Sequence, residues 1–314
     1  MPGGSAPSSW VLKTGGRRAI NKVVAIGFRP EEREPALVVK MARLPDAEDA
    51  LRSEAANLAA LHSASPRGIH GAPRLLGASS TGEPVAVGES FESGVPLMTE
   101  LGAGNHRPFA LGVTDWLIEL ARTTSTPVPD WRTRLIQTPL EDFGRRYGDV
   151  VERAALEATR ARLLALEELP GAFEQRDCSP WNILRGADGA LVVMDWESAE
   201  PRGLPLLDLV YYLTFSSLAV HDALDHGTER AYRASRDPST ALGRIAGECE
   251  HRYLTALGLD SRCLHPLRLL AWIVHARGEY DRLASDGGDR PAPRALGGAT
   301  FARLWREELT VGDT

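Results

Sequence analysis

Three polar residues in the stretch FEQRDCSPWNILRGADGALVVMDWE have types and spacing that could carry out chemistry. Asp177 is followed five residues later by Asn182, and a later apolar run ends at Asp195. Two short apolar runs between Asn182 and Asp195 flank a glycine-containing turn, a pattern typical of a β-hairpin. Such a hairpin would deliver two acids and one amide to the ends of paired strands, where functional side chains are commonly held.

These residue types suit the transfer of a phosphoryl group to a hydroxyl. In kinases the first Asp orients or deprotonates the hydroxyl, while the Asn and the later Asp hold Mg²⁺ bound to ATP. Mg²⁺ prefers hard oxygen ligands, which Asn and Asp supply. We therefore assign Asp177 to catalysis, and Asn182 and Asp195 to the metal. The alternative is a hairpin with two solvated Asp residues at its ends, but Pro180 and the turn also lie where the first interpretation requires them.

The composition limits the classes of function. A chain of 314 residues with 43% hydrophobic residues can form one large or two modest domains. It has no apolar run of membrane-spanning length and no apolar signal core at its N-terminus, so we expect no membrane partner and no export. The three cysteines, Cys178, Cys249 and Cys263, have no metal-binding spacing and fit a reducing cytoplasm.

The charge distribution bears on the binding partner. A net charge of −6 argues against a general nucleic-acid binder. Residues 1–125 carry 13 acidic and 13 basic side chains, whereas residues 126–314 carry 29 acidic and 23 basic ones. An acidic second half would favour a cationic substrate, although an ordinary solubilising surface explains so small an excess equally well.

The N-terminal part of the sequence predicts an antiparallel sheet and one helix. Turn-rich segments separate the predicted strands, and the helix presents Leu51, Leu58 and Leu61 on one face. The predicted strands cover residues 10–12, 22–28, 36–42, 75–78 and 85–90, and the predicted helix covers residues 47–62.

Two charged residues in this part predict a phosphate contact. Lys40 ends the apolar run of the third strand, as does the lysine that contacts the α- and β-phosphates in kinases. Glu54 lies on the apolar face of the helix, three residues after Leu51, where a carboxylate is costly unless it is paired. Lys40 is the predicted partner of Glu54. The alternative is a glutamate that reaches solvent at the edge of the face.

Two further segments could bind the rest of ATP. In the turn TGGRR, Gly15 and Gly16 would let backbone N–H groups approach the phosphates, although a Gly-Gly hairpin turn is also ordinary. Residues 89–92 follow the last strand and would form the hinge whose backbone, at Glu89 and Phe91, binds the adenine edge. This second assignment depends on position alone.

The pattern D-x-x-P-x-N, followed by an apolar strand and D-W-E, resembles the aminoglycoside phosphotransferase and choline kinase-like family of the kinase-like superfamily. The resemblance extends from about residue 12 to about residue 283. The family usually has His-Gly before the catalytic Asp, and this chain has Gln175-Arg176. Because Gln can also form hydrogen bonds, we expect the loop to be preserved. The resemblance makes Glu197 a possible second metal or substrate contact, and the alternative is a surface acid.

The resemblance implies an α+β class and a two-lobed protein-kinase-like fold. Its small antiparallel-sheet N-lobe with one helix would be the nucleotide-binding lobe, residues 1–92. Its larger, mostly helical C-lobe would be the catalytic and substrate-binding lobe, residues 93–314. Apolar spacing in the C-lobe predicts helices over residues 110–125, 140–169, 239–257, 264–282 and 301–309.

Together these features predict an ATP- and Mg²⁺-dependent O-phosphotransferase that acts on a hydroxyl of a small molecule. An aminoglycoside-like antibiotic or another natural product is the favoured substrate. The alternatives are a kinase of a metabolite such as a sugar or an amino alcohol, and a non-catalytic nucleotide-binding protein of kinase-like fold. The absence of the usual His motivates the last alternative. The sequence does not indicate an oligomeric state.

Overall fold

The computed structural model describes residues 6–14, 22–65, 69–79, 85–287 and 290–311. The chain forms two compact units, each of which is described separately. The first comprises Met1–Glu100, Gln175–Asp177 and Trp181–Pro201, and the second comprises Leu101–Glu174, Cys178–Pro180 and Arg202–Thr314. The two units are therefore not the contiguous segments, divided at residue 92, that the sequence analysis expects.

Strands and helices occupy most of the described chain. The strands are β1 (Ser9–Thr14), β2 (Lys22–Phe28), β3 (Pro35–Ala42), β4 (Leu75–Ala78), β5 (Ala86–Ser90), β6 (Val95–Pro96), β7 (Ala172–Glu174), β8 (Ile183–Arg185), β9 (Leu191–Val193) and β10 (Glu200–Gly203). The helices are α1 (Asp46–Ala64), α2 (Leu97–Glu100), α3 (His106–Thr124), α4 (Thr138–Tyr147), α5 (Arg153–Leu164), α6 (Leu207–Val220), α7 (Thr228–Arg236), α8 (Ala241–Leu257), α9 (Leu264–Gly287), α10 (Pro293–Gly297) and α11 (Thr300–Val311). A π-helical segment, Arg132–Gln137, precedes α4, and a 3₁₀ turn, Ser261–Cys263, precedes α9.

The first unit contains a five-stranded antiparallel sheet with the order β1-β2-β3-β5-β4. The strands predicted from the sequence are all present, and their antiparallel pairing is confirmed. Val24 on β2 lies opposite Lys40 on β3. Directly opposite residues share a face of a sheet, as do residues two apart on one strand. Lys22 therefore projects from the same face as Lys40.

Helix α1 packs against this sheet through the predicted apolar stripe. Leu51, Leu58 and Leu61 have no exposed surface, and α1 contributes to a core that it shares with β3 and β5. Burying a leucine side chain contributes about 1.5–3 kcal/mol. Glu54 lies on the same face and is also completely buried, so its carboxylate requires a partner.

The predicted hairpin is also present. Strands β8 and β9 pair with Ile183 opposite Val193, and their turn contains Gly189 with a φ of +83°, a conformation that glycine adopts without steric cost. Strand β6 pairs with β8, with Val95 opposite Arg185. The backbone N–H of Val193 on β9 donates to the backbone oxygen of Gly71 at 2.8 Å. The hairpin therefore contacts residues before 92, which explains why the observed division of the chain differs from the expected one.

The second unit is mostly helical, as predicted. Helices α3, α4, α5, α8, α9 and α11 occupy the segments with helical apolar spacing. Helix α7 was not predicted, because its sequence TERAYRASR is largely polar and only one side of it is buried. It packs against α8, α6 and α11. None of the helices in the described part of the chain is long and apolar enough to cross a membrane.

An ionic network inside the second unit explains why a polar helix packs there. Arg236 on α7 donates to Glu250 on α8 at 2.8 Å, and Arg268 on α9 donates to the same carboxylate at 3.0 Å. Arg268 also lies 3.6 Å from Glu308 on α11. Glu250 and Glu308 are both buried. Two arginines thus compensate two buried carboxylates, which satisfies the requirement that buried charges be paired.

A buried histidine generates a prediction about acid stability. His106, at the start of α3, is buried, and its Nε2 lies 3.1 Å from the Ser216 hydroxyl. Burial, with a smaller effect of His221, lowers the pKa of His106 to about 4. In the unfolded chain the pKa is about 6.5. Below pH 6.5 the unfolded state therefore binds the proton first, and the stability from neutral His106 is lost as the pH falls towards 4.

Between pH 6.5 and pH 4, we expect the unfolding free energy of the wild type to fall by about 3 kcal/mol more than that of His106→Gln, which lacks the titrating group. Urea unfolding of both proteins across this pH range measures the difference. The exposed His251→Gln variant is the control for loss of a histidine. A difference between wild type and His106→Gln that does not vary with pH would contradict the prediction.

Candidate functional site

The predicted ion pair between Lys40 and Glu54 is confirmed. Lys40 projects from β3, and its Nζ donates to Oε1 of Glu54 on α1. The same oxygen accepts a hydrogen bond at 3.2 Å from the backbone N–H of Trp196, the residue after Asp195. Glu54 therefore connects the sheet to the segment that follows β9.

A second residue of α1 strengthens this connection. Asn57, one turn after Glu54 and also buried, donates from Nδ2 to the backbone oxygens of Trp196 at 2.8 Å and Ala199 at 3.2 Å. The sequence analysis missed this residue. The available signal was its position three residues after Glu54, on the same inward side of the helix.

Two more carboxylates lie close to Lys40. Its Nζ is 3.3 Å from Oε1 of Glu89 and 3.8 Å from Oδ1 of Asp195. Burial alone would lower the pKa of Lys40, but the carboxylates of Glu54, Glu89 and Asp195 outweigh burial and raise it. Lys40 is therefore protonated at neutral pH.

The crowding also affects the carboxylates themselves. Burial raises the pKa of Glu54 to about 7 against the opposing effect of Lys40, and the charges of Glu89 and Asp195 raise it further. Burial likewise raises the pKa of Glu89, and the neighbouring charge of Lys40 opposes this rise. Three carboxylates therefore lie within 4 Å of one ammonium group.

Lys22 is the second cation of the site, and the sequence analysis missed it. Its Nζ lies 3.2 Å from Oδ1 of Asp195 and 2.6 Å from Oε2 of Glu197. Burial alone would lower its pKa, but these two carboxylates outweigh burial and raise it. The available signal was strand register: Lys22 is two residues before Val24, which pairs with Lys40.

The oxygen atoms of the site suit a divalent cation. One carboxylate oxygen from each of Glu54, Asp195 and Glu197 lies within 4.8 Å of the others. With Glu89, the site has four carboxylates against two ammonium groups. Oε2 of Glu54 is buried and has no hydrogen-bond partner among the described residues. Hard oxygen donors with excess negative charge fit Mg²⁺, so the residues present are compatible with the predicted metal.

Hydrogen bonds bring together the segments that carry Asp177, Asn182 and Asp195. The backbone N–H of Met194 donates to the backbone oxygen of Asn182 at 2.8 Å, one step beyond the paired strands, so Asn182 and Asp195 leave the hairpin at the same end. Nδ2 of Asn182 donates to Oδ2 of Asp177 at 2.7 Å and to its backbone oxygen at 3.0 Å. The side-chain oxygen of Asn182 is then the atom that could bind a metal.

Gln175 links the two segments that carry the acids. Its Nε2 donates to the backbone oxygens of Met194 at 2.9 Å and Asp195 at 2.7 Å, and its Oε1 accepts from the backbone N–H of Asp177 at 2.8 Å. Gln175 thus forms the hydrogen bonds expected of it, and its equivalence to the usual His stays a prediction. Arg176 and Asp195 have positive φ values of 64° and 60°, a strained backbone that persists only where its surroundings hold it.

The other predicted residues are those of the phosphate loop and the hinge. Gly15 and Gly16 lie outside the described residues. Glu89 lies inside β5, paired with Val38 on one side and Leu75 on the other, and its side chain contacts Lys40. Phe91 is half-buried and follows β5 directly. The hinge role of Glu89 and Phe91 stays a prediction.

Gln175 generates a prediction about local stability. Gln175→Ala removes three hydrogen bonds to partly buried backbone groups, so we expect a loss of about 1–3 kcal/mol of unfolding free energy. We also expect faster hydrogen exchange around residues 176–177 and 193–196. Gln175→His keeps one donor and one acceptor and should recover part of both effects. Wild-type exchange in Gln175→Ala would show that the link is not needed.

Comparison with known proteins identifies the family. Residues 13–242 match the phosphotransferase enzyme family. None of the curated proteins matches the sequence.

Several solved structures share the fold at low sequence identity. A thermostable mutant of aminoglycoside phosphotransferase APH(4)-Ia, in complex with ADP and hygromycin B, has a TM-score of 0.59 and 13% identity over 98% of this chain and 95% of that chain. Aminoglycoside phosphotransferase APH(3'')-Id from Streptomyces rimosus, in complex with ADP and streptomycin, has a TM-score of 0.52 and 15% identity over 85% and 92% of the two chains. Spectinomycin phosphotransferase APH(9)-Ia, in complex with ADP and spectinomycin, has a TM-score of 0.50 and 12% identity over 98% and 94%. The chain has the kinase-like fold predicted from its sequence, it belongs to the phosphotransferase enzyme family, and it is a phosphotransferase.

Proposed function

We propose that the protein is an ATP-dependent O-phosphotransferase that phosphorylates a hydroxyl of a small molecule. The observation that carries the proposal is the cluster in which Gln175 ties the Asp177 loop to Asp195, beside Lys40. Membership of the family supports the reaction type. The similar structures, which contain ADP with hygromycin B, streptomycin or spectinomycin, support a nucleotide and a small-molecule acceptor.

We assign the nucleotide and its metal to residues of the first unit. Lys40, held by Glu54, would contact the ATP phosphates. Asp195 and the side-chain oxygen of Asn182 would hold Mg²⁺, and Glu197 offers a further oxygen. Bound Mg²⁺ supplies neutralisation of the charge on the phosphates.

Two further assignments concern the phosphate loop and the adenine contact. Gly15 and Gly16 remain our candidates for the phosphate loop. Because Glu89 is paired within the sheet on both sides, we place the adenine contact after it, at the backbone of Phe91.

Asp177 would position the acceptor hydroxyl and accept its proton as the new oxygen–phosphorus bond forms and the bond between the γ-phosphorus and the β-phosphate oxygen of ATP breaks, which releases ADP. The hydrogen bond from Asn182 fixes the orientation of the Asp177 carboxylate, and the bond from Asp177 N–H to Gln175 fixes the backbone beneath it. Most of the rate enhancement in this reaction class comes from positioning and charge stabilisation, and these two contacts provide positioning.

We propose aminoglycoside-like antibiotics and other amino-rich natural products as the substrate class, so that the enzyme would confer antibiotic resistance. The excess of acidic over basic side chains in residues 126–314, 29 against 23, would attract a cationic acceptor. This charge argument and the similar structures support the class.

A substrate panel tests the function. Purified protein with ATP and Mg²⁺ should release ADP with at least one aminoglycoside or aminocyclitol, and mass spectrometry should detect the phosphorylated product. Choline, homoserine and common sugars form the second panel. Turnover only in the second panel would replace antibiotics by a metabolite as substrate, and nucleotide binding without turnover in either panel would support the non-catalytic alternative.

The assignment of Asp177 predicts a specific kinetic loss. Asp177→Ala should lower kcat by about 10²–10⁴, the range expected for loss of a proton acceptor, whereas the affinity for ATP should barely change. Steady-state kinetics and nucleotide titration measure the two quantities. The exposed Asp225→Ala variant is the control. Turnover near the wild-type rate in Asp177→Ala would remove this residue from its role.

The assignment of Asp195 predicts a different defect. Asp195→Asn should abolish the dependence of nucleotide binding on Mg²⁺, because one anionic metal ligand is lost. Isothermal titration of ATP with Mg²⁺ and with EDTA measures this dependence, and Asp225→Asn serves as the control. If Mg²⁺ strengthened ATP binding equally in Asp195→Asn and the wild type, Asp195 would not be a metal ligand.

A further inference from the structure

Lys22 is a partly exposed lysine that forms ion pairs with two carboxylates of the site. It is the first residue of β2, and its ammonium group contacts Asp195 Oδ1 at 3.2 Å and Glu197 Oε2 at 2.6 Å. These carboxylates belong to the group of oxygens that could hold a metal ion. The ammonium group and a metal ion would therefore compete for the same two carboxylates.

The two lysines of the site are held differently. Lys40 is buried and lies within 4 Å of three carboxylates, those of Glu54, Glu89 and Asp195. The Lys22 side chain is 23% exposed, and its two ion pairs are with partly exposed carboxylates. A lysine carries its charge on a flexible four-carbon stem. Lys22 can therefore move away from its partners at lower cost than Lys40.

We infer that Lys22 is a displaceable counter-cation, which compensates Asp195 and Glu197 when no metal is bound and leaves them when Mg²⁺ enters with the nucleotide. The inference rests on the proposed function, because it takes Asp195 as a metal ligand. Without Lys22, the four carboxylates of the site would face a single ammonium group among the described residues.

The consequence is a coupling between metal and nucleotide. A divalent ion that binds without nucleotide must displace the Lys22 ammonium group from its carboxylates. The ammonium group then has no carboxylate partner and still lies close to the positively charged metal ion. A nucleotide brings phosphate oxygens that can accept the displaced ammonium group. Lys22 therefore weakens metal binding in the absence of nucleotide. It also makes bound nucleotide raise the affinity for the metal, and bound metal raise the affinity for the nucleotide by the same factor.

Mn²⁺ binding to the full-length protein without nucleotide tests the inference. Mn²⁺ is titrated by electron paramagnetic resonance or calorimetry into the wild type, Lys22→Met, Lys22→Arg and Lys13→Met. Lys22→Met removes the charge and keeps much of the stem, and Lys22→Arg keeps the charge. Lys13→Met makes the same change in net charge at an exposed lysine of the neighbouring strand β1. Lys22→Gln is a second neutral variant in case Lys22→Met unfolds.

We expect Lys22→Met to bind Mn²⁺ about tenfold or more tightly than the wild type, because a nearby unit charge shifts a charge-dependent equilibrium by about 1–3 log units. Lys22→Arg and Lys13→Met should resemble the wild type. The further strengthening of Mn²⁺ binding by a non-hydrolysable ATP analogue should be smaller in Lys22→Met than in the wild type. The melting temperature of Lys22→Met should be lower in EDTA and should rise more on addition of Mn²⁺.

Three results would overturn the inference, and the first two differ in what they imply for the proposed function. If Mn²⁺ affinity without nucleotide is the same in Lys22→Met and the wild type, while Asp195→Asn weakens binding of Mn²⁺ with the ATP analogue, only the role of Lys22 is wrong. If no variant binds Mn²⁺ even with the ATP analogue, the metal assignment and the role of Lys22 fail together. An equal gain of Mn²⁺ affinity in Lys13→Met would show that the change in net charge alone explains the effect, and it would also overturn the inference.

Discussion

The first unit depends on the compensation of buried negative charge. Glu54 and Glu89 are buried, Asp195 and Glu197 lie beside them, and the cations that contact this group in the described chain are Lys22 and Lys40. Burial disfavours a charged carboxylate, and neighbouring carboxylates disfavour it further. Among the described residues, four carboxylates lie beside two lysines, and a divalent cation would compensate this excess of acidic groups.

In the second unit, two buried carboxylates are balanced by an equal number of arginines. Arg236 and Arg268 compensate Glu250 and Glu308, so that the number of cations equals the number of anions. A balanced buried network holds helices in register and requires no ligand. The imbalance in the first unit is thus not a general property of this chain, and its location beside the Asp177 loop connects it with function.

Backbone groups position the acidic residues as much as side chains do. Gln175 binds backbone atoms on both sides of the site, and Asn57 and Glu54 bind the backbone of Trp196. The left-handed conformations of Arg176 and Asp195 are held by these contacts. Substitution of the usual His by Gln is compatible with the site because the amide offers both donors and an acceptor in the required directions.

Local patterns in the sequence determined much of the fold and part of the site. Alternation and turn residues predicted the strands of the sheet and the β8–β9 hairpin, and the apolar stripe on α1 predicted that Glu54 faces inward, towards Lys40. These features are local, since they follow from spacing within one element. Helix α7 and the joining of the hairpin to the first unit were not predicted, because a polar helix and a two-residue strand acquire their place through distant partners.

The chemistry of Asp177, Asn182 and Asp195 could be proposed from residue types and spacing, whereas the partners that Lys22, Glu89 and Asn57 contact could not. Lys22 and Asp195 are 173 residues apart in the chain, and their Nζ and Oδ1 atoms lie 3.2 Å apart in the fold. No spacing rule encodes such a pair, because strand order and register bring it together only when the sheet and the hairpin have formed. The sequence by itself therefore determined which groups could react, and the tertiary structure decided which charges surround them.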